Sequence, residues 1–79
     1  MLNLKIVSPE RVEFEGTVVS VKVPGMMGEF EILDKHAPIV SVLNKGIVSY
    51  VTANGHKELA VSAGVVSVKQ NQVNVCVEL

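Results

Sequence analysis

The sequence is poor in the residues on which most catalysis and nucleic-acid recognition depend. It contains one cysteine and no tryptophan, only 4% of its 79 residues are aromatic, and 7 Lys+Arg nearly balance 8 Asp+Glu. Nucleic-acid binding requires clustered basic residues and aromatic rings for stacking, so we expect no nucleic-acid partner. Cys76 cannot form an internal disulfide, which fits a reducing compartment, and we expect it to be a small buried apolar residue on the last strand.

Long apolar runs are also missing. No stretch reaches the ~18–20 residues that cross a bilayer, and the N-terminus lacks the basic-then-apolar pattern of a signal peptide. We therefore expect a soluble, intracellular chain. Its length predicts a single domain, residues 1–79, with one modest core, because a chain of this size buries only ~60–65% of its unfolded surface.

What the sequence does contain is valine in a strand-like alternation. Apolar residues make up 48% of the chain, and β-branched side chains favour strands. Leu2, Leu4 and Ile6 alternate with polar residues, as in a half-buried strand. Further strands are predicted at residues 12–15, 18–23, 30–32, 39–43, 47–52, 57–61, 65–69 and 73–77.

Turn signals separate these strands. Ser8-Pro9, Gly16, Pro24-Gly25 and Ala63-Gly64 are predicted breaks, and Asn54-Gly55 predicts a type I′ hairpin turn with positive φ at both residues. No segment shows helical spacing. Together these signals predict an all-β fold, a compact antiparallel β-sandwich or flattened barrel of about 8–10 short strands.

Two strands carry apolar residues on both faces. In residues 18–23 the alternation predicts Val19, Val21 and Val23 on one face and Val18 on the other, and residues 65–68 are similar. One small core cannot easily bury all of them, so the surplus predicts a surface for a partner.

Candidates for chemistry are few. His36, His56 and Cys76 lie too far apart in the sequence for a zinc site or a recognisable nucleophile-base pair, so we expect no catalytic, metal-binding or cofactor-binding residues. We expect His56 to be exposed beside its turn. Met26 and Met27, in the loop "PGMMG", either cover a sheet edge or form an exposed contact surface.

Two other functional classes stay open at this point. Biotinyl and lipoyl carrier domains are all-β and of this size, but they carry a lysine beside methionine at a hairpin tip, and "PGMMG" has no lysine. The other class is a free-standing β interaction module that captures an unrelated protein.

The stretch "DKHAPIVSVLNKG", residues 34–46, resembles a region of the epsilon subunit of the rotary F-type ATP synthase that usually reads PGHAPLLTALKPG. The segments "LNLKIVSPERVEFEG", "VPGMMGEFEIL" and "LAVSAGVVSVKQNQVNVCVE" resemble other parts of that family in the same order, so the resemblance covers essentially the whole chain. Asp34-Lys35 stands where the family commonly has Pro-Gly, which predicts a differently shaped turn. The family usually continues into a C-terminal helical hairpin, so the resemblance implies only the N-terminal β-sandwich, and not inhibition of ATP hydrolysis.

The resemblance implies a non-catalytic rotor subunit in the central stalk, which links the gamma subunit to the membrane c ring and so couples proton flow to ATP synthesis. It implies a peripheral location on the cytoplasmic face of the bacterial cell membrane; we expect a bacterial rather than an organellar origin because no transit segment precedes Met1. The implied gamma-subunit interface consists of His36, Ile39, Val40 and Val42. The implied c-ring interface consists of Met26, Met27, Gly28, Glu29, Phe30 and Glu31.

Overall fold

The computed structural model describes residues 1–79 as nine β-strands without a helix, so it contains no helix able to span a membrane. The strands are β1 (Leu2–Val7), β2 (Val12–Val18), β3 (Ser20–Gly25), β4 (Gly28–Ile32), β5 (Ile39–Leu43), β6 (Gly46–Thr52), β7 (Gly55–Val61), β8 (Ala63–Lys69) and β9 (Gln72–Glu78). The predicted all-β fold is confirmed.

The strands form a curled sheet that folds over into two halves. One half has the order β2-β1-β9-β8-β5, and the other contains β3, β6 and β7, with β4 paired to β3. Strands β3 and β5 join the halves through a single residue pair, Gly25 and Leu43. Across the interior, the rings of Phe14 and Tyr50 lie 4.5 Å apart in a tilted arrangement.

One strand pair differs from the predicted antiparallel arrangement. Strands β1 and β9 are parallel neighbours, with Leu4 opposite Val73 and Ile6 opposite Val75. A parallel pair requires a long connection between its strands. Here that connection is the whole chain from β2 to β8, which no local sequence signal could have indicated.

The core is built from apolar residues at alternating strand positions, and no polar or charged residue is buried. Strands β1 and β9 show this most clearly, because inward residues alternate with exposed ones along most of their length. The core residues are Leu2, Leu4, Ile6, Val18, Val21, Val23, Ile32, Leu43, Val48, Tyr50, Val61, Val66, Val68, Val73, Val75 and Val77.

The chain crosses from one half of the sheet to the other at Val19, and this corrects the predicted faces of residues 18–23. Strand β2 ends at Val18 and β3 begins at Ser20, and between them the Val19 N–H donates to the Val51 carbonyl at 2.7 Å. Val18 and Val21 are both buried, whereas Val19 is 51% exposed. The crossing inverts the alternation, so most of the supposed apolar surplus of this segment belongs to the core.

Two glycine breaks were placed wrongly because the glycines lie inside strands, and Pro24-Gly25, also predicted as a break, forms the last two residues of β3. Gly16 belongs to β2, where an added Cβ would lie 3.2 Å from the ring of Phe14. Gly64 belongs to β8, where an added Cβ would lie 2.6 Å from the carbonyl oxygen of Cys76. Both glycines therefore provide room for a close neighbour, and Ser62 separates β7 from β8.

The hairpin turns also differ from the prediction. Of Asn54 and Gly55 only Gly55 has a positive φ, 119°, so the type I′ prediction was wrong there. The Thr52 hydroxyl shapes that turn, accepting from the Asn54 N–H at 3.1 Å and donating to the Gly55 carbonyl at 3.2 Å. Positive φ at both central residues occurs instead between β8 and β9, at Gln70 (50°) and Asn71 (62°).

Cys76 is exposed, contrary to the expectation that it would be buried. Its neighbours Val75 and Val77 point into the core, so the pleat turns the Cys76 side chain to the opposite, outer face of β9. His56 is exposed on β7, as expected.

Candidate interaction surfaces

The tip of the β3–β4 hairpin presents two methionines to solvent. Gly25 pairs with Gly28, and Met26 and Met27 form the turn between them. Met27 is fully exposed and Met26 is 59% exposed. Gly28 has φ 125°, a backbone conformation that residues other than glycine rarely adopt. Both methionines are thus exposed at the tip, and their role in a contact surface stays a prediction.

Strand β4 adds carboxylates to this tip. Glu29 and Glu31 are exposed, whereas the Phe30 ring between them is half-buried against the core. Neither glutamate forms an ion pair within the chain. The alternation thus anchors the strand through Phe30 and leaves two carboxylates free for charge-assisted hydrogen bonds to a basic partner.

His36 lies at the entrance to β5, where its backbone N–H donates to the Leu33 carbonyl at 3.1 Å. Its ring Nδ1 is 2.7 Å from the carbonyl oxygen of Ala37. A carbonyl can only accept, so Nδ1 carries the proton of that bond. The Nε2 atom is left available to a partner.

The turn before His36 is held by long-range polar contacts. The Met1 ammonium group lies 3.1 Å from Oδ1 of Asp34, and this hydrogen bond lowers the pKa of the Asp34 carboxyl below its ordinary value. Lys35 adopts φ 64°. The lysine thus takes the left-handed conformation that glycine favours, at the position where the resemblance places glycine.

Strand β5 carries exposed apolar residues that lie on two different faces. Val40 is 74% exposed and Val42 is 54% exposed, and they share the outer face of the sheet. Ile39, 36% exposed, lies on the opposite face, paired with the buried Val68. The structure therefore brings Val40 and Val42 together and separates Ile39 from them.

Apolar residues that the sequence reasoning missed extend the Val42 position across the outer face. Val42 pairs with Val65, Val65 with Cys76, and Cys76 with Val7 on the parallel strand β1. Because paired residues share a face, these four side chains form one strip, called here the outer strip. Three of them are exposed and Val7 is half-buried. The sequence did hold a signal for this strip: Val65 and Cys76 alternate with the inward valines of β8 and β9, which places them on the outer face.

The hairpin tip and β5 adjoin each other. The Met26 N–H donates to the Val42 carbonyl at 3.2 Å, and the Asn44 N–H donates to the Pro24 carbonyl at 2.8 Å. These two bonds flank the Gly25 and Leu43 pair. The two contact segments predicted from the sequence therefore meet at one end of the molecule.

Polar groups in the β1–β2 region hydrogen-bond to one another and so stabilise the fold locally. At the start of β2, Glu13 accepts hydrogen bonds from two residues of the β1–β2 turn, from Arg11 Nε at 3.0 Å and from the Ser8 hydroxyl at 3.0 Å. The Arg11 bond, followed by the Ser8 bond, lowers the pKa of the Glu13 carboxyl. No group of three or more His, Cys, Asp or Glu side chains is placed to hold a metal ion.

Comparisons with known proteins give a consistent result. Residues 1–79 match the family model described as ATP synthase, delta/epsilon chain, beta-sandwich domain. The chain is 42% identical over 78 residues to the ATP synthase epsilon chain of a Nitratiruptor species, covering 98% of this chain and 60% of that protein. It is 43% identical over 76 residues to the ATP synthase epsilon chain of Wolinella succinogenes, covering 95% of this chain and 58% of that protein.

A solved structure shares the fold. The chain superposes with a TM-score of 0.81 on a chain from the cryo-EM structure of the Tetrahymena thermophila mitochondrial ATP synthase, central stalk and c-ring, covering 99% of this chain and 63% of that one. Their sequence identity is 16%, so this likeness concerns the fold alone. The chain spans about 60% of the length of the curated relatives that it matches.

Proposed function

Since the chain belongs to the ATP synthase delta/epsilon family as its beta-sandwich domain, we propose that it is a non-catalytic rotor subunit of an F-type ATP synthase. In this role it links the gamma subunit to the c ring in the central stalk and so couples proton flow to ATP synthesis. As part of that complex it is peripheral to the membrane, on the cytoplasmic face of the bacterial cell membrane.

The observation that carries this proposal is the meeting of two unlike surfaces at one end of a small β-sandwich. Strand β5 offers the exposed Val40 and Val42, and the hairpin tip offers Met26, Met27 and unpaired carboxylates. A subunit held between two partners needs two such surfaces, fixed relative to each other. Backbone hydrogen bonds between the two segments supply this fixed relation.

We assign the gamma subunit to His36, Ile39, Val40 and Val42. Val40 and Val42 supply apolar area, and His36 Nε2 supplies a polar contact at the entrance of the strand. Ile39, on the opposite face, is reached only by a partner that wraps around the strand. The outer strip provides further apolar area beside Val42.

We assign the c ring to Met26, Met27, Gly28, Glu29, Phe30 and Glu31. The methionines are adaptable apolar side chains, suited to a contact with loops of varied shape. Glu29 and Glu31 suit basic groups on the ring, with Phe30 fixing the strand beneath them. A carrier-domain function is not favoured, because this tip has no lysine to modify.

The proposal is tested by recovery from detergent-solubilised membranes of the source cell with the tagged chain, with the retained proteins identified by mass spectrometry. We expect wild type to retain gamma and c subunits. Val40→Asp places a charge in the proposed gamma surface and should recover less gamma, whereas Val19→Asp, at an exposed valine outside both surfaces, should recover as much as wild type.

A titration against isolated gamma subunit removes the dependence on exchange into assembled complexes. Each variant is first checked by circular dichroism for the wild-type β spectrum. A folded wild-type chain that does not bind isolated gamma would contradict the proposed function.

A further inference from the structure

Strand β5 is an edge strand for most of its length. On one side it pairs with β8 along all five residues from Ile39 to Leu43. On the other side its only ladder partner is Gly25, opposite Leu43. Residues 39–41 therefore have an open backbone edge.

The backbone groups of Val40 point toward that open edge. The Val42 carbonyl accepts from Met26, so the Val42 backbone groups face away from β8. In an antiparallel ladder the N–H and C=O of one residue point to the same side, and residues two apart share that side. The N–H and C=O of Val40 accordingly point away from β8, toward the side of β5 on which no strand pairs with Val40.

Strand β5 lacks the protections that usually keep an edge from pairing. Edges are commonly blocked by charged side chains, proline or a bulge. Residues 39–43 contain no charged side chain and no proline, and their unbroken register with β8 shows that they contain no bulge. The other open edges carry charges: β2 has Glu13 and Glu15, β4 has Glu29 and Glu31, and β7 has Lys57 and Glu58.

Charge at the two ends of this edge indicates its occupant. Lys35 and Lys45 bracket nine residues without an acidic or basic side chain other than His36, and neither lysine forms an ion pair. Antiparallel pairing of β5 with a second copy would set Lys35 of one chain near Lys45 of the other, and such like-charge pairs are unfavourable. The charges therefore fit a different chain, with an apolar centre and carboxylates at both ends.

We propose that β5 binds its partner by strand addition: an extended segment with an apolar centre and flanking carboxylates hydrogen-bonds to the N–H and C=O of Val40 and continues the sheet beyond β5. This inference rests on the proposed function, since the segment belongs to the gamma subunit. It specifies backbone pairing, where an apolar face alone would specify only side-chain contact.

A proline at position 40 tests the backbone contact. Val40→Pro removes the N–H that faces the open edge and leaves the β5–β8 ladder intact, because proline is tolerated where a strand edge faces outward. Val40→Ala is the matched control, since it trims the side chain and keeps the N–H. We expect Val40→Pro to weaken binding to isolated gamma at least about tenfold, and more than Val40→Ala does.

Hydrogen exchange at the Val40 amide, followed by NMR on the wild-type chain, gives a second readout that does not depend on a variant. Strand addition predicts an exposed, rapidly exchanging amide in the free chain and a protected one in the gamma complex. Charge reversal tests the flanking lysines. When Lys35→Glu and Lys45→Glu are added to Val40→Pro, binding to isolated gamma should weaken further at low salt.

The outcomes separate the two proposals. If wild type binds gamma while Val40→Pro binds as well as Val40→Ala and the Val40 amide stays unprotected, strand addition is overturned and the rotor function stands. If wild type does not bind gamma, both fail. A concentration-dependent dimer in sedimentation that Val40→Pro abolishes would show a second copy on this edge and would also overturn the proposal.

Discussion

The side-chain amide of Asn71 donates a 2.6 Å hydrogen bond to Oδ1 of Asp34, across 37 residues of sequence. Its oxygen accepts from the Lys35 N–H at 2.7 Å, and its backbone carbonyl accepts from the Asn3 N–H at 2.8 Å. Asn71 thus ties the turn before His36 to the β8–β9 turn and to β1. A loop residue therefore helps to set the position of the entrance to β5.

Replacing Asn71 should therefore loosen that entrance. Asn71→Ala loses both side-chain hydrogen bonds and places alanine at φ 62°, so we expect the free energy of unfolding in urea to fall by about 1–2 kcal/mol. Asn71→Gly keeps the backbone conformation accessible and should lose less. Asn74→Ala, at an exposed β9 position, is the control, and an equal loss there would argue against this role of Asn71.

Lys35 offers the opposite change. Because its φ of 64° is strained for a lysine, Lys35→Gly should raise the free energy of unfolding by about 0.5–1 kcal/mol, after allowance for the greater freedom of glycine in the unfolded chain. Thermal or urea denaturation measures this. Lys45→Gly, at an exposed lysine without positive φ, should give no gain; a similar gain in both variants would refute the explanation.

The Ser8, Arg11 and Glu13 cluster predicts a pH dependence of stability. The hydrogen bond from Arg11 lowers the pKa of Glu13 in the folded chain. Its contribution is therefore complete above the unfolded pKa of glutamate, about 4.3, and is lost as pH falls through the lower folded value. Urea unfolding at a series of pH values should show a shallower acid loss for Glu13→Gln than for wild type, whereas Glu15→Gln, which has no ion pair, should follow wild type.

Charge reversal at the hairpin tip tests the c-ring assignment. Glu29→Lys should weaken binding to c rings in nanodiscs about fivefold at low ionic strength, with a smaller difference at high salt, because the contact is a solvent-exposed one. Glu10→Lys, a reversal in the β1–β2 turn, controls for net charge. Equal weakening in both variants would point to a nonspecific field rather than a contact at Glu29.

Much of the fold was predictable because alternation is a local signal. The pattern of Leu2, Leu4 and Ile6 predicted β1, and the family resemblance drawn from the His36-Ala37-Pro38 stretch was confirmed by the family match. The inversion at Val19 and the parallel pairing of β1 with β9 were not predictable, since both depend on how distant strands meet.

The candidate site was predictable to a smaller extent. The sequence identified the segments that carry Met27 and Val40, but it could not show that they adjoin or that Ile39 lies on a different face from Val40. Cys76 was predicted to be buried because of its residue type. Its position between the inward Val75 and Val77 already indicated the outer face of β9. The assignments of these segments to gamma and the c ring remain predictions for the experiments above.

The join between the hairpin tip and β5 bears on how torque would travel through the subunit. A load applied at Met26 reaches Val42 through a single backbone hydrogen bond, and a second bond links Pro24 to Asn44. In the proposed role, this path from ring to stalk runs beside a second one through the core, where Val23 and Phe30 of the hairpin and Leu43 of β5 are packed. The stiffness of the transmission would then depend on both together, since the two bonds fix the segments side by side and the core holds each segment in its sheet.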